Sequence, residues 1–535
     1  MPRYRSPVFP FIRPPELDGR TGRRWPVAIV GAGPVGLAAA IDLALHGIAS
    51  VVLDESNVVS TGSRAICWSK RTLEIFDRLG IGDRVVAKGV TWKVGRLFHR
   101  EREVYAFDLL PETGHKRPAF VNLQQYYVEE YLIDRARDFP ELIDLRFVSR
   151  VINVGQEGDH AWVDVETTDG TYRLAADYLV ACDGVRSTVR RALGLDFVGR
   201  AFEERFLITD VEMTADFPSE RWFWFGPPFH DGQSALLHKQ PDNIYRIDLQ
   251  LGPDADPEIE RQPERVIPRI EAMVGNRAFE VDWISVYSFQ CSRLERFVHD
   301  RVIFAGDSAH IVSPFGARGG NGGIQDVDNL CWKLAAVLKG EASSALIESY
   351  NAERVHGADE NILNSARATS FMTPKSRIER MFRDEVLRLA GTHPFARQLV
   401  NSGRLSRPCS LAGFPLGTAD TAEIGGSMVP GAPCVDAPVQ GANGRDGWLL
   451  DHLGRDFVAL GFGHLPSTPT SVRRVIIGAA GDIGDSQGLV AARYGGAPGV
   501  VYLIRPDQHV AARFSNPSAA LLADALGRAN AHGAA

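Results

Sequence analysis

VAIVGAGPVGLAAAIDLALHGIASVVLDE, residues 27–55, places an apolar run (27–30) before GAGPVG, then an alanine- and leucine-rich stretch (37–45) with Gly47 set to end it. A second apolar run, 49–53, ends at Asp54. Strand, tight turn, helix and strand in that order make a βαβ unit, the context in which G-x-G-x-x-G reads as a dinucleotide-binding turn. Gly31 permits the tight turn, Gly33 admits a pyrophosphate to the helix start, and Gly36 allows close helix packing. Ala32 and Pro34 complete the loop. Asp54, with Glu55 beside it, stands about 20 residues on, where an acid binds ribose hydroxyls and disfavours a 2′-phosphate.

Two further segments repeat the strand-then-turn pattern. YLVACDGVRSTVRRALG, 178–194, ends its apolar run at Asp183-Gly184. VIFAGDSAHIVSPFGARGGNGGIQDVDNLCWKL, 302–334, ends its run at Gly306-Asp307, passes through a glycine-rich loop and opens a helix. That helix carries Ile324, Val327, Cys331, Leu334 and Leu338 at spacings of three and four, one apolar face. A carboxylate at a strand tip accepts from a polyol hydroxyl, and the following helix start favours a group that becomes anionic.

The 535 residues suffice for two or three domains, and the net charge of -7 is spread without long runs of one sign, which argues against nucleic acid as a partner. No apolar run is long enough for a membrane span and no signal-peptide core opens the chain, so a cytoplasmic enzyme is expected. The six cysteines are scattered without a C-x-x-C pair, so neither a metal site nor a redox dithiol is indicated. No G-x-S-x-G elbow supports a serine hydrolase.

The three segments together resemble the flavoprotein aromatic hydroxylases, single-component FAD monooxygenases of the para-hydroxybenzoate hydroxylase fold. The resemblance rests on Gly31, Gly33 and Gly36, on Asp183-Gly184 with Arg186, Ser187 and Arg190, and on Gly306-Asp307 with His310, Pro314, Gly319, Asn321, Gly323 and Asp326. It runs from about 26 to 365, and within the family the chain most resembles longer members with a C-terminal thioredoxin-like domain, including phenol, 3-(3-hydroxyphenyl)propionate and polyketide hydroxylases.

The fold expected is α/β (α+β overall). An extended arm (1–25) leads to a discontinuous Rossmann-like FAD-binding domain (26–90, 120–196 and 293–370). An inserted, mostly antiparallel substrate sheet spans 91–119 and 197–292. A helical linker (371–407) leads to a thioredoxin-like domain (408–535) lacking C-x-x-C. A single hairpin is expected from 145–154 and 161–167, and a helix over 263–274.

The resemblance implies FAD as cofactor and NAD(P)H as a transient co-substrate without a nucleotide domain of its own. O2 would form a flavin C4a-hydroperoxide that attacks a phenolic ring. Asp307 would hold the ribityl chain, and Gly319, Gly320 and Asn321 would offer backbone contacts to the isoalloxazine. Arg64 would lie near the pyrophosphate, Gln125 would reach ribityl or phosphate oxygens, and Val151 would contact adenine. Asp183 would touch both nucleotides or serve as a strand-end turn, while His310 reads as a structural turn residue.

Substrate contacts are sought at Arg246, to pair with an acid or phenolate, and at His238, which reads either as the group that takes a phenolic proton or as a structural histidine of the sheet. Tyr245 adjoins Arg246 on the same strand, so only one of them points to a given face. Trp222, Trp224 and Phe225 are candidate water-excluding walls or plain sheet core. The helix start is placed at 322–324 with Arg318 adding charge at the flavin edge, and Ala317, where relatives carry glycine, argues against a strongly positive φ. An epoxidase, a Baeyer-Villiger oxygenase and a non-catalytic FAD scaffold remain alternatives, and a homodimer is possible.

Overall fold

The computed structural model describes residues 4–19, 23–62, 64–230, 233–252, 254–314, 316–400, 405–420 and 423–531. Parts of the expected arm (1–3, 20–22) and linker (401–404), and position 315 of the glycine-rich loop, lie outside the described residues.

Trp25–Val30 forms the centre of the first sheet, parallel to Ser50–Leu53 on one side and Gly170–Ala181 on the other. Ile143–Arg146 and Val302–Phe304 extend it, also in parallel. Trp25–Val30, Ser50–Leu53 and Val302–Phe304 are buried almost without interruption, as befits a parallel sheet covered on both faces. Pro34–Leu45 and Gly319–Leu338 pack against each other and against this sheet, burying Leu37, Ile41, Ile324, Val327, Cys331 and Leu334. The arm lies along this unit. Phe9 stacks on Phe147 at 4.5 Å, Tyr4 stacks on Tyr126 at 4.1 Å, and the Tyr4 hydroxyl donates to Glu130.

The expected hairpin from 145–154 is divided. Ile143–Arg146 belongs to the parallel sheet, the chain turns through Val148 at φ 55°, and Arg150–Glu157 pairs with His160–Thr167 instead. Periodicity is continuous through the break, so the turn left no mark in the sequence.

The second sheet has eight strands in the order His310–Ile311, Phe279–Arg293, Val198–Met213, Ile244–Leu251, Ser234–Lys239, Arg221–Phe225, Val94–His99 and Arg102–Asp108. Its pairs are antiparallel except Arg221–Phe225 with Val94–His99, which run parallel. Helix Pro263–Val274, at the bounds expected, closes one face by burying Val266, Ile270 and Val274 against Leu207, Val211, Ile247 and Leu249. Part of the opposite face packs on Ala345–Met372 and Arg377–Ala390; the rest faces the first sheet.

Residues beyond 405 build a mixed seven-stranded sheet centred on Phe457–Phe462, which is parallel to Val472–Ile477 and antiparallel to Val500–Ile504. It docks through buried charge. Arg505 donates to both oxygens of Glu353 at 2.7 and 2.8 Å and to Asp507, while Lys333 donates to Glu353 at 2.7 Å. Arg71 reaches Gln508, the Asp507 carbonyl and Asp328. Among the described residues no helix is long and apolar enough to cross a membrane.

Candidate active site

Gly31 takes φ 103°, and a Cβ at Gly36 would stand 1.9 Å from the Gly31 carbonyl oxygen, so both positions need glycine. Nothing lies within 4 Å of a Cβ built on Gly33, which leaves the helix start open on that side. Asp54 closes the turn: its carboxylate accepts from Ala32 N–H at 2.6 Å and from Ser56 N–H at 2.8 Å, while Glu55 is exposed. Ser149 N–H donates to the Asp54 carbonyl at 2.7 Å, which brings the start of Arg150–Glu157, with Val151, beside it. Gln125 accepts from Ala65 N–H at 3.1 Å and donates to Glu129 at 2.7 Å, fixing the loop that carries the exposed Arg64.

At the second strand end, Asp183 accepts from Thr188 and Val189 N–H through Oδ2, capping the short helix Thr188–Ala192. Its Oδ1 is buried with no partner among the described residues. Asp307 stands at the third end. It is accessible to solvent and has no hydrogen bond or ion pair among the described residues, yet the surrounding protein pushes its carboxyl upward, opposed by His310 and Arg64. Accessibility inside an enclosing wall describes a deep cleft, and a lone carboxylate there is poised to accept from a ligand hydroxyl.

Asp326 supports this end from beneath. It accepts from Gly306 N–H at 3.0 Å and from Arg354 at 2.7 Å, and lies 2.7 Å from His310 Nε2. Burial raises its carboxyl, but His310 and Arg354 outweigh that and hold it below the usual range. His310 is thereby part of the scaffold under the loop.

The long helix starts at Gly319, three residues before the 322–324 expected, so Gly319, Gly320 and Asn321 present its first-turn N–H groups. A Cβ on Gly319 would lie 3.8 Å from Asp307 Oδ1, and one on Gly320 would lie 3.3 Å from Ala65. The Asn321 side chain is taken up internally: it accepts from Ser69 N–H at 2.9 Å and donates to the carbonyls of Cys67 and Ala317.

Ala317 has φ 52°, contrary to the expectation from its side chain. The turn closes by Ala317 N–H to the Pro314 carbonyl at 3.1 Å, its carbonyl is gripped by Asn321 at 2.6 Å, and its methyl packs with Trp92, Phe120 and Leu405. These contacts offset a left-handed penalty of roughly 1–2 kcal/mol. Arg318 is buried, donates to Asn361 at 3.2 Å and folds beneath Gly316.

Strand alternation sorts the substrate candidates. Tyr245 faces helix Pro263–Val274, donating its hydroxyl to the Ala215 carbonyl at 2.8 Å, and Trp222 and Trp224 pack on that same far face with Phe217 and Phe229. The two tryptophans therefore do not wall the cleft. Arg221, Phe223 and Phe225 alternate to the near side, in register with His238 and Leu236, then with Arg246 and Asp248. Phe223 and Phe225 line an apolar recess that reaches Gly316 and Arg318.

Arg246 is held by Asp210, which accepts from Nε and Nη2 at 2.9 and 2.8 Å. His238 lies 3.8 Å through Nδ1 from the Cys67 thiol and 4.0 Å through Nε2 from Asp248. Burial, with Arg221 and Arg246 nearby, pushes the His238 imidazolium well below its ordinary range, so the ring is neutral. Burial lifts Asp248 to about 6 and the Cys67 thiol to about 11. Sequence reasoning missed Arg221, Asp210, Asp248 and Cys67, because only the pairing of distant strands brings them together.

Residues 24–365 match the family described as FAD binding domain. The chain belongs to that family. The flavoprotein is similar to a flavin-dependent monooxygenase of Mycobacteroides abscessus, 34% identical over 357 residues covering 62% of this chain and 71% of the relative. It is also similar to a 3-(3-hydroxy-phenyl)propionate/3-hydroxycinnamic acid hydroxylase of Burkholderia cenocepacia, 30% identical over 456 residues, 83% of this chain and 81% of the relative. Among solved structures, the OxyS anhydrotetracycline hydroxylase from Streptomyces rimosus superposes with a TM-score of 0.71 at 25% identity, covering 95% of this chain and 99% of that one. The flavin-dependent monooxygenase PieE, at 23% identity, shares the fold with a TM-score of 0.80 over 95% of this chain and 99% of its own. The flavoprotein is thus an FAD-dependent monooxygenase of the aromatic hydroxylase kind. The residues present fit FAD: an open Gly33 turn, a partnerless carboxylate at Asp307 and an orphaned Asp183 Oδ1 lie at the ends of neighbouring parallel strands.

Proposed function

We propose that the flavoprotein hydroxylates a phenolic compound, with NAD(P)H as reductant and O2 as oxidant. The observation that carries this reading is the short path from flavin helix to sheet. Asn321, in the first turn of Gly319–Leu338, holds the Cys67 carbonyl at 2.8 Å, and the Cys67 thiol touches neutral His238 at 3.8 Å. The His238 ring therefore stands one side chain away from the segment that would cradle the cofactor.

FAD, when bound, supplies reduction by NAD(P)H and activation of dioxygen. Asp307 would hold the cofactor by accepting from its polyol hydroxyls, and the first-turn N–H groups of Gly319–Leu338 would favour negative charge on it. His238, neutral and enclosed, offers its free ring nitrogen as a hydrogen-bond acceptor to the phenolic hydroxyl, polarising the O–H bond and making the ring more electron-rich. Phe223 and Phe225 keep water from the reacting face.

The test is a panel of phenols and phenolic acids assayed with the FAD-loaded protein for stimulated NAD(P)H oxidation, with product mass and the position of the new oxygen determined. The expected result is a ring-hydroxylated product from at least one phenol. Oxygen placed in an epoxide or ester would assign the epoxidase or Baeyer-Villiger alternative, and no oxygen gain by any aromatic compound would overturn the reading.

A further inference from the structure

The arm of residues 4–18 precedes the stretch matched to the family, 24–365, so membership of the family does not say what it does. Pro7, Pro10, Pro14 and Pro15 remove backbone donors and stiffen it, which leaves side chains to hold it in place. Two aromatic rings carry that load at its outer end. Val8 is 68% exposed, whereas Phe9 is 4% exposed and belongs to one buried cluster with Val59 and Phe147. Phe9 N–H donates to the Asn57 carbonyl at 2.7 Å, beside an antiparallel bridge between Val8 and Val58. Tyr4 stacks on Tyr126, meets Tyr127 edge-on at 4.8 Å and donates to Glu130 at 2.9 Å. Nearer the first sheet, Glu16 accepts from the buried Arg146, so the base of the arm is anchored without these rings.

Both rings bear on one stretch of chain, which runs from Asp54 to Gly62 and continues at Arg64 and Ala65. At its start the Asp54 carboxylate accepts from Ala32 N–H in the dinucleotide turn; at its end Ala65 meets Gly320, in the first turn of Gly319–Leu338, closely enough that a Cβ there would stand 3.3 Å away. The stretch therefore borders the cleft from the GAGPVG end to the flavin-helix end. Phe9 grips it directly at 57–59. Tyr4 grips helix Gln125–Ala136 at the turns whose Gln125 accepts from Ala65 N–H at 3.1 Å and whose Glu129 accepts from Ser60 N–H at 2.6 Å. Arm, helix and stretch are thus bonded into one closed ring of contacts along the edge of the cofactor cleft.

We propose that Tyr4 and Phe9 are positioning residues for FAD: they hold 54–62 and the start of Gln125–Ala136 in the arrangement that binds the cofactor, and bound FAD in turn keeps the arm docked. This rests on FAD as the cofactor and on no particular substrate. The coupling is reciprocal, since whatever affinity the docked arm lends to FAD, FAD lends to the docking of the arm.

Both directions are measured on the full chain. Apoprotein, prepared by removing FAD, is titrated with FAD and followed by flavin fluorescence for wild type, Tyr4→Ala, Phe9→Leu, Phe9→Ala and Arg13→Ala. A stretch left in its binding arrangement for only about 1–10% of the time raises the apparent Kd roughly 10–100-fold, the rise expected for Tyr4→Ala and Phe9→Ala. Phe9→Leu, which refills part of the niche, should rise less. Arg13→Ala, whose partners Asp18 and Asp169 are not part of the stretch, should stay within about twofold of wild type. For the reverse direction, trypsin cleavage of wild type after the exposed Arg5 should be at least about tenfold slower with FAD bound than without it. Should Phe9→Ala fail to fold, Tyr4→Ala and the cleavage of wild type still decide. The proposal is overturned if Tyr4→Ala and the folded Phe9 variants bind FAD like wild type, or if cleavage after Arg5 is indifferent to FAD. It is equally overturned if the variants lower the Tm of the apoprotein while FAD affinity is intact, which would make the arm structural packing alone. Neither readout involves a phenol, so failure of the hydroxylase reading would leave a positive result standing.

Discussion

His238 owes its role to its neighbours. Two arginines and burial keep it uncharged at neutral pH, so its ring nitrogen stays available to accept a hydrogen bond from a phenol while holding a proton only weakly, where an exposed histidine would be partly protonated below its usual pKa of about 6.5. Replacing it with asparagine keeps a polar group of similar reach but removes the ring acceptor. His238→Asn is expected to lower kcat by roughly 10²-fold with a much smaller change in KM, measured by steady-state turnover of whichever phenol the panel identifies. An equal loss in both would make His238 a binding residue instead. The histidine was visible in the sequence, but its charge state was not, because Arg221 and Arg246 reach it only through strand pairing.

Between residue and molecule, the elements show what local sequence does and does not encode. GAGPVG, Asp183-Gly184 and Gly306-Asp307 were legible because each is a strand end followed by a turn, and all three sit on neighbouring parallel strands. Period-two alternation was equally clear in Arg221–Phe225, yet it states only that the tryptophans and phenylalanines part company; which pair meets the cleft depends on register with Ser234–Lys239. Ala317 shows the same limit in a loop. Its side chain argued for ordinary backbone, whereas Asn321 and an apolar niche impose φ 52°. Ala317→Gly relieves about 1–2 kcal/mol of backbone strain, but loses up to ~0.8 kcal/mol of methyl burial and adds about 0.4–1 kcal/mol of unfolded-chain entropy. Its stability should therefore stay within about 1 kcal/mol of wild type. Ala317→Val, a branched side chain at positive φ, should lower Tm clearly in thermal unfolding, and equal Tm values for the two variants would remove the strain argument.

At the scale of the whole molecule, the C-terminal sheet is tied to the flavin helix by Glu353, Arg505, Lys333 and Asp507, all buried. Burial raises the Glu353 carboxyl, but Arg505 and Lys333 reverse this and bring it to about 2 from an ordinary 4.5. A carboxylate depressed on folding stabilises fully above its unfolded value, so this contribution holds above pH 4.5 and is lost as pH falls towards about 2. Glu353→Gln leaves two enclosed cations short of a counter-charge and should cost about 3–5 kcal/mol, read in denaturant unfolding at pH 7. The deficit should shrink in acid, as the unfolded wild-type chain takes up a proton that the folded protein still refuses at pH 3; an unchanged deficit at pH 3 would contradict the assignment. None of this network was legible in sequence, because its members come from helices and a strand far apart along the chain. The parallel pairing of Arg221–Phe225 with Val94–His99 carries a consequence of another kind. Bringing together segments so distant in the chain incurs loop-closure entropy before any contact rewards it, which places that seam among the slow steps of folding. Because Arg221 and Leu97 both lie on the seam, refolding protein should regain its secondary structure before it regains a recess able to hold a ligand.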